Sequence, residues 1–309
     1  LDTARRDWSL PALAATGLAR AHMPRRVEGN APAGRLRAEL AARWGMAHAP
    51  VVAGGAGDNA ATAVGLGAGA PGDAFLSLGT SGVLWATTDR FRPAPQRGVH
   101  AFCHALPGRW HQMAVILAAG GALAWWSEVT GLSAAQLLAE LPPATAPSPA
   151  LFVPYLSGER TPHNDATVRG AFLGLDRAMG RPDLTRAVLE GVAFAFRDGL
   201  EALAAAGTVP EAALVVGGGT RAPAWTAILA AALNLPLSCP ADAQNAAALG
   251  AARLGRMAAT GEPPADVCRK PALAATVAPD PALARAYAAR APRYRAAYPL
   301  LRDLAAVRA

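Results

Sequence analysis

Apolar runs of strand length and of helix length alternate along this chain. Four short runs, separated by turns that carry glycine and proline, predict strands of an antiparallel meander: 74–78, 82–87, 99–105 and 110–115. Further strands are predicted over 151–153 and 213–216, and helices over 120–129, 223–233 and 246–259. Apolar residues at helical spacing predict a long helix over 183–206, with Asp183 as its N-cap and Gly207 as its end.

The residues before this meander form a separate group. Helical patterns over 10–21 and 33–44 precede a short buried strand at 51–53 and a helix over 59–67. The cluster Gly69-Ala70-Pro71-Gly72 ends the helical pattern before it and precedes the strand pattern after it. It is the best candidate for a domain boundary. We therefore predict two domains, 1–70 and 71–309.

Composition places the chain among folded globular proteins. Hydrophobic residues make up 52% of its 309 residues and charged residues 17%, which favours a large core. The net charge is +7, but the arginines are scattered and do not alternate with aromatic residues, so we expect no nucleic-acid partner. The three cysteines fit no metal or redox spacing, and no apolar run reaches the length of a membrane span. We expect a cytoplasmic protein without a membrane partner.

The corner Gly55-Ala56-Gly57-Asp58-Asn59 joins the predicted strand to a predicted helix. A carboxylate at a helix start stays ionised, because the helix dipole favours negative charge there. It could accept the proton of a hydroxyl that attacks a phosphate. The alternative is that Asp58 only caps the helix, and the two roles are compatible.

Two glycine-bearing turns could bind phosphate. Gly79-Thr80-Ser81-Gly82 offers backbone N–H groups and hydroxyls, although a plain hairpin turn explains it equally well. Gly217-Gly218-Gly219 follows a strand and precedes a helix, as nucleotide-binding turns do, but it matches neither dinucleotide nor Walker spacing and could be a tight turn alone. His100, His104 and His111 lack ligand spacing, so no metal site is predicted.

In their order along the chain, these motifs resemble the FGGY family of carbohydrate kinases. The resemblance is strongest from Gly170-Ala171-Phe172-Leu173-Gly174-Leu175 through Asp183-Leu184 to Ala187-Val188-Leu189-Glu190, and it extends over about 1–256. It implies an α/β fold of the actin-like ATPase type: an RNase H-like lobe, with a mixed sheet flanked by helices, preceded by part of another lobe. Within the family, the loop 155–165 looks like that of the members that phosphorylate xylulose.

The resemblance also implies roles for individual residues. Asp58 falls on the base that activates the sugar hydroxyl, and Asn59 on a sugar contact. The nucleotide-binding positions are Thr80, Ser81, Gly120, Gly218, Gly219 and Asn245. Gln244 shares the turn of Asn245, and Ala124 stands where some relatives have a polar ligand. The implied cofactors are ATP and Mg²⁺, and the implied reaction is transfer of the γ-phosphoryl group of ATP to D-xylulose.

The family's first phosphate loop, Asp-Leu-Gly-Thr, is not found in this sequence. We therefore expect a truncated C-terminal portion that begins near the end of the first, sugar-binding lobe, so that residues 1–70 are its remnant and 71–309 the nucleotide-binding lobe. Such a chain would expose an apolar face and self-associate, for example as a homodimer. Two alternatives remain open: a sibling kinase acting on ribulose, gluconate or glycerol, and a non-catalytic nucleotide-binding module.

Overall fold

The computed structural model describes residues 1–307, and strands and helices alternate through most of it. The strands are β1 (Pro32–Arg35), β2 (Val51–Ala53), β3 (Ala74–Leu78), β4 (Gly82–Thr88), β5 (His100–Cys103), β6 (Trp110–Ile116), β7 (Leu151–Val153), β8 (Ala171–Leu173), β9 (Ala213–Val216), β10 (Leu237–Pro240) and β11 (Leu273–Val277). The helices are α1 (Leu10–Ala15), α2 (Ala38–Arg43), α3 (Asp58–Gly65), α4 (Gly120–Thr130), α5 (Ala134–Ala139), α6 (Arg181–Ala205), α7 (Pro223–Leu233), α8 (Ala246–Thr260), α9 (Pro264–Val267) and α10 (Pro281–Ala306).

Seven strands form one mixed sheet in the order β11-β10-β9-β3-β4-β6-β5. The four strands predicted as a meander pair with one another in antiparallel orientation, as expected, but β5 lies at the edge of the sheet and β6 pairs with β4. β9 runs parallel to both β3 and β10. The carboxyl ends of β3 and β9 therefore lie side by side, and ligands bind at such strand ends in open α/β sheets.

Helices cover both faces of this sheet, because alternate side chains along each strand point to opposite sides. Leu76, Leu84 and Ile116 face the layer that contains α6 and α7, where the largest core cluster lies. Phe75 and Trp85 face the opposite layer and pack with residues of α3 and α8. The result is a three-layer arrangement with a mixed sheet between helices, which confirms the predicted fold class.

Three local predictions were wrong. The predicted helix over 33–44 is the strand β1, paired with β2, followed by the short helix α2, and the helix predicted over 10–21 ends at Ala15. α6 begins two residues before Asp183, so this residue is not its N-cap. Asp183 instead accepts a hydrogen bond from the backbone N–H of Gly180, which is the N-cap residue. Gly207 ends the helix with a φ of +84°, as predicted.

α3 belongs structurally with the large sheet, although it precedes the predicted boundary. Val64 and Leu66 lie in clusters that also contain residues of α8 and of the meander. In the described part of the chain, the first two strands pair only with each other. The range 71–309 ends on two residues that lie outside the described residues. Within 1–307, every helix is too short or too polar to cross a lipid bilayer.

Candidate active site at the ends of β3 and β9

Asp58 stands at the first position of α3, exposed to solvent. The chain turns there through Gly55, whose φ of +77° favours glycine. Gly57 is the N-cap residue, so Asp58 does not cap the helix with its side chain. One carboxylate oxygen of Asp58, Oδ1, accepts hydrogen bonds from the backbone N–H (2.8 Å) and the side-chain amide (3.4 Å) of Asn59. Asn59 therefore orients the carboxylate and leaves its second oxygen available.

A cavity of about 520 Å³ opens on the same side of α3 as Asp58. Thr62 lines it, and this residue lies one helical turn after Asp58 on the same helix face. The other polar lining side chains are Ser77 of β3, Gln244 before α8, and Thr220 and Arg221 of the segment after β9. Asp58 is thus one helical turn from the wall of a cavity with a mixed polar and apolar lining at the ends of the sheet strands.

The predicted phosphate turn between β3 and β4 packs on the start of α4. The backbone N–H of Gly120 donates to the carbonyl of Gly79 (2.8 Å), and that of Gly121 donates to the carbonyl of Thr80 (2.9 Å). A Cβ at position 120 would lie 2.6 Å from the Gly79 carbonyl oxygen. Gly120 therefore allows close packing of the turn, and its own N–H is already used. Within 1–307, the exposed hydroxyls of Thr80 and Ser81 make no hydrogen bond.

A larger cavity, of about 820 Å³, lies between this turn and α7. Four of the predicted nucleotide-binding residues line it: Thr80, Gly120, Gly218 and Gly219. Most of the remaining wall is apolar and includes Leu138, Ala124 and Trp225. The indole N–H of Trp225 donates to the carbonyl of Leu189 at 3.3 Å, so it is not free for a ligand. A cavity of this size with apolar walls fits a purine nucleoside.

The glycine turn after β9 is held tightly against β3. Gly217 has a φ of +99°, and a Cβ there would lie 2.6 Å from the carbonyl oxygen of Leu78. A Cβ at Gly219 would lie 2.9 Å from the Cβ of Leu78, whereas Gly218 faces open space. The outer glycines therefore keep the turn close to β3, and Gly218 offers its backbone to a ligand.

The two cavities adjoin at this turn, because Gly218 and Arg221 line both. Sequence reasoning missed Arg221, and the available signal was a single arginine directly after the glycine run. Asp58 and Asn59, at the start of α3, line neither cavity, and two of the predicted nucleotide-binding residues also line neither. Ser81 is exposed beside the phosphate turn, and Asn245 is the exposed N-cap residue of α8, whereas its neighbour Gln244 does line the smaller cavity. Their nucleotide contacts stay predictions.

The loop over 155–165 lies elsewhere, along the edge of β6. Thr161 pairs with the backbone of Val115, and the carboxylate of Glu159 accepts hydrogen bonds from the backbone N–H groups of Leu117 (2.9 Å) and Arg160 (2.8 Å). Burial raises the pKa of Glu159 to about 8. This loop covers a sheet edge and lines neither of the two cavities.

The described residues do not form a metal centre from protein ligands alone. No three His, Cys, Asp or Glu side chains of residues 1–307 are grouped closely enough to hold a metal ion. His104 is a buried core residue, whose Nδ1 accepts from the backbone N–H of Leu106 at 3.0 Å. A metal ion bound here would depend on phosphate oxygens and water for most of its ligands, as Mg²⁺ commonly does.

The fold and the site together define the class. A mixed sheet between helical layers, with a phosphate turn after β3 and a glycine turn after β9 at the mouth of a purine-sized cavity, is the actin-like ATPase arrangement. Comparison of sequences then gives the family. The profile of the FGGY family of carbohydrate kinases, C-terminal domain, matches residues 74–259, and that of the N-terminal domain matches residues 1–65. The chain belongs to the FGGY family of carbohydrate kinases.

Individual relatives are similar over most of this chain. The xylulose kinase of Escherichia coli (strain K12) is 47% identical over 264 residues, which cover 85% of this chain and 54% of that protein. The erythritol kinase of Brucella abortus is 30% identical over 86% of this chain and 54% of its own length. The crystal structure of a xyloylose kinase from Brucella ovis has a TM-score of 0.95 and 52% identity, covering 98% of this chain and 63% of that one. The chain thus spans about half the length of the curated relatives it matches.

Proposed function

We propose that this chain carries the nucleotide-binding lobe and the general base of an ATP-dependent xylulose kinase, which transfers the γ-phosphoryl group to D-xylulose. The observation that carries this proposal is the pair of adjoining cavities: one is apolar and purine-sized, and the other has hydroxyl, amide and guanidinium groups in its wall and lies one helical turn from Asp58. The identity to xylulose kinases supports the choice of sugar. On this proposal residues 1–70 belong to the sugar-binding lobe and 71–309 to the nucleotide-binding lobe.

The proposed roles follow from position. Asp58 accepts the proton of the sugar hydroxyl as that oxygen attacks the γ-phosphorus, and Asn59 keeps the carboxylate oriented. An exposed carboxylate can serve in this way once the bound sugar and the closure of the sugar-binding and nucleotide-binding lobes exclude water. Asn59 also contacts the sugar in this proposal. The chemistry that Mg²⁺ would supply is neutralisation of the phosphate charge.

The nucleotide is proposed to lie across the larger cavity. Gly218 offers an unobstructed backbone at the junction of the cavities, and Gly219 lets the turn approach β3. Thr80 and Ser81 supply hydroxyl donors at the opposite wall. Asn245 is proposed to contact the base side of the nucleotide from the start of α8. We further propose a cytoplasmic enzyme, since ATP is the phosphoryl donor and the cysteines are free, and a homodimer as its assembly.

The first test is calorimetric titration of the chain with ADP, for which we expect a single site.

The second test is a coupled assay of the polypeptide translated from the complete reading frame, with D-xylulose, D-ribulose, gluconate, glycerol and erythritol. Phosphorylation with the highest kcat/KM for D-xylulose is expected. A higher kcat/KM for another of these compounds would indicate a related kinase that acts on that compound. ADP binding without phosphorylation would favour a nucleotide-binding module. Absence of ADP binding would overturn the proposal.

A further inference from the structure

Arg221 differs in charge and in position from the other residues that line the two cavities. It is the only charged residue in either lining, and it belongs to both. The remaining polar lining side chains are hydroxyls and one amide. Among residues 1–307, none forms a hydrogen bond or an ion pair with the Arg221 guanidinium, and this side chain is exposed. The cation therefore has no protein carboxylate to neutralise it at the junction of the cavities.

The backbone that carries Arg221 is fixed in position. A short 3-10 turn over Gly218–Arg221 follows the glycine that packs on Leu78, and the backbone N–H of Ala222 donates to the carbonyl of Gly219 at 3.2 Å. Trp225, buried in the first turn of α7, anchors the segment from the other end. The Cα of Arg221 is thus held at the glycine turn, while its long side chain can extend along either cavity.

An exposed arginine without a protein partner is suited to bind phosphate groups. The phosphates of a nucleotide di- or triphosphate carry several negative charges, and glycine N–H groups offset these only through their dipoles. A guanidinium offers paired N–H donors that match two phosphate oxygens, and it stays charged at any working pH. A nucleotide whose base occupied the larger cavity, and whose terminal phosphate faced a hydroxyl near Asp58, would have its phosphate groups at this junction.

We propose that Arg221 binds the terminal phosphates of the nucleotide by paired, charge-assisted hydrogen bonds, and that it supplies the main protein cation of this site. This inference rests on the proposed function, because it requires a nucleotide in the larger cavity. It assigns affinity for the phosphate chain to Arg221, and affinity for the nucleoside to the apolar wall. The two contributions are therefore separable by experiment.

The test compares ADP with adenosine in calorimetric titrations of the chain and of three variants. Arg221→Gln is expected to weaken ADP binding about tenfold or more, as for loss of a hydrogen bond to a charged group, and to leave adenosine binding unchanged. Arg221→Lys retains the charge but not the paired geometry, so it should fall in between. Arg177→Gln is the matched control: Arg177 is also exposed and forms no hydrogen bond within 1–307, and its loss should change neither titration.

The outcomes distinguish this inference from the proposed function. If the unchanged chain binds neither ADP nor adenosine, both are overturned. If it binds ADP and Arg221→Gln binds ADP equally well, only the role of Arg221 is overturned. Equal losses of ADP and adenosine affinity in Arg221→Gln would also contradict it, since they would indicate a structural role. An equal loss in Arg177→Gln would show a general effect of net charge instead of a contact.

Discussion

Gly65 of α3 and Gly250 of α8 lie against each other where the two helices meet. A Cβ at Gly65 would lie 1.9 Å from the carbonyl oxygen of Ala246, and one at Gly250 would lie 1.8 Å from that of Ala61. The helices therefore contact through their backbones. The Arg253 guanidinium adds hydrogen bonds to the last carbonyls of α3, those of Val64 (2.9 Å) and Gly65 (2.8 Å). This contact sets the position of the helix that begins at Asp58.

The first prediction concerns this contact. Gly250→Ala should force α3 away from α8 and lower the free energy of unfolding by about 2 kcal/mol or more, since added volume meets backbone atoms. Gly255→Ala is its control on the same helix, because a Cβ there meets nothing within 4 Å. The control should stabilise the chain by about 0.5–1 kcal/mol. Urea unfolding of both variants checks the prediction, and equal stability of the two would contradict it.

The sequence predicted the central strands well because each is bounded by strong turn signals and buried on one or both faces. β3 and β9 have the predicted bounds, and β4 ends one residue later than expected. The prediction failed over 33–44, where alanines favoured a helix. Pairing between Gly34 and Val52, a tertiary contact, makes part of that segment a strand. Local propensity could not reveal this pairing.

The second prediction concerns Asp58. Asp58→Asn in the polypeptide translated from the complete reading frame should lower kcat by about a hundredfold to ten-thousandfold, the usual contribution of a general base. Stability should change little, because the carboxylate is exposed and, among the residues that the structure describes, bonds only to Asn59. A coupled kinase assay gives kcat, and thermal melting gives stability. ADP affinity should be retained, because the phosphate turn and the purine cavity are unaltered.

Glu128→Gln provides the matched control for this variant. Glu128 is an exposed carboxylate on α4 and forms no hydrogen bond within 1–307. The substitution removes the same charge, so kcat should remain within about twofold of the unaltered enzyme. Undiminished turnover in Asp58→Asn would remove this residue from the proposed mechanism.

The third prediction concerns the pH dependence of stability. His111 is buried and stacks on Trp85, with ring centroids 3.6 Å apart, and its Nδ1 has no partner within 1–307. Burial is the main cause that lowers the pKa of His111 to about 3, with smaller contributions from His104 and His100. The unfolded chain takes up this proton below pH 6.5, whereas the folded chain resists it until about pH 3. His111 therefore contributes stability above pH 6.5 that is lost as the pH falls towards 3.

His111→Phe should remove this part of the pH dependence. Phenylalanine keeps an aromatic ring against Trp85 but takes up no proton. As the pH falls from 7.5 to 4.5, the unaltered chain should lose about 2–3 kcal/mol of its free energy of unfolding through His111, and the variant should not have this loss. Urea titrations at both pH values give this difference. Titrating groups that do not interact with His111 cancel from it, and the interactions with His104 and His100 are smaller than the effect of burial. A difference that does not change with pH would contradict the assignment.

The sequence predicted some residues of the candidate site and missed others. Thr80, Gly218 and Gly219 line the larger cavity, because short turns after adjacent strand ends necessarily converge. The sequence could not show that the N–H of Gly120 is used by Gly79, or that Arg221 lines both cavities, since both depend on tertiary packing. The placement of Asp58 relative to the cavities depends in turn on α8, whose glycine contact has no signature in local sequence.

The last prediction concerns the choice of nucleotide base. Apart from Thr80 and Arg221, the side chains that line the larger cavity are apolar, and the Trp225 N–H is occupied by Leu189. No side chain in that lining is placed to recognise the amino group of adenine specifically, and an apolar pocket discriminates poorly between ligands of similar shape. We therefore expect ATP, GTP and ITP to serve as donors with kcat/KM values within about a hundredfold of one another.

The measurement is a coupled assay of the polypeptide translated from the complete reading frame, with each triphosphate in turn at saturating D-xylulose. A pyrimidine triphosphate, CTP, is the control for shape, because its smaller ring leaves part of the cavity empty. Ala124→Phe should reduce kcat/KM for all three purine triphosphates together, since Ala124 lines the same wall and the larger ring occupies their space. Selectivity for ATP above a thousandfold would mean that backbone groups of the cavity, or the proposed contact of Asn245, recognise the adenine edge, and would contradict recognition by shape alone.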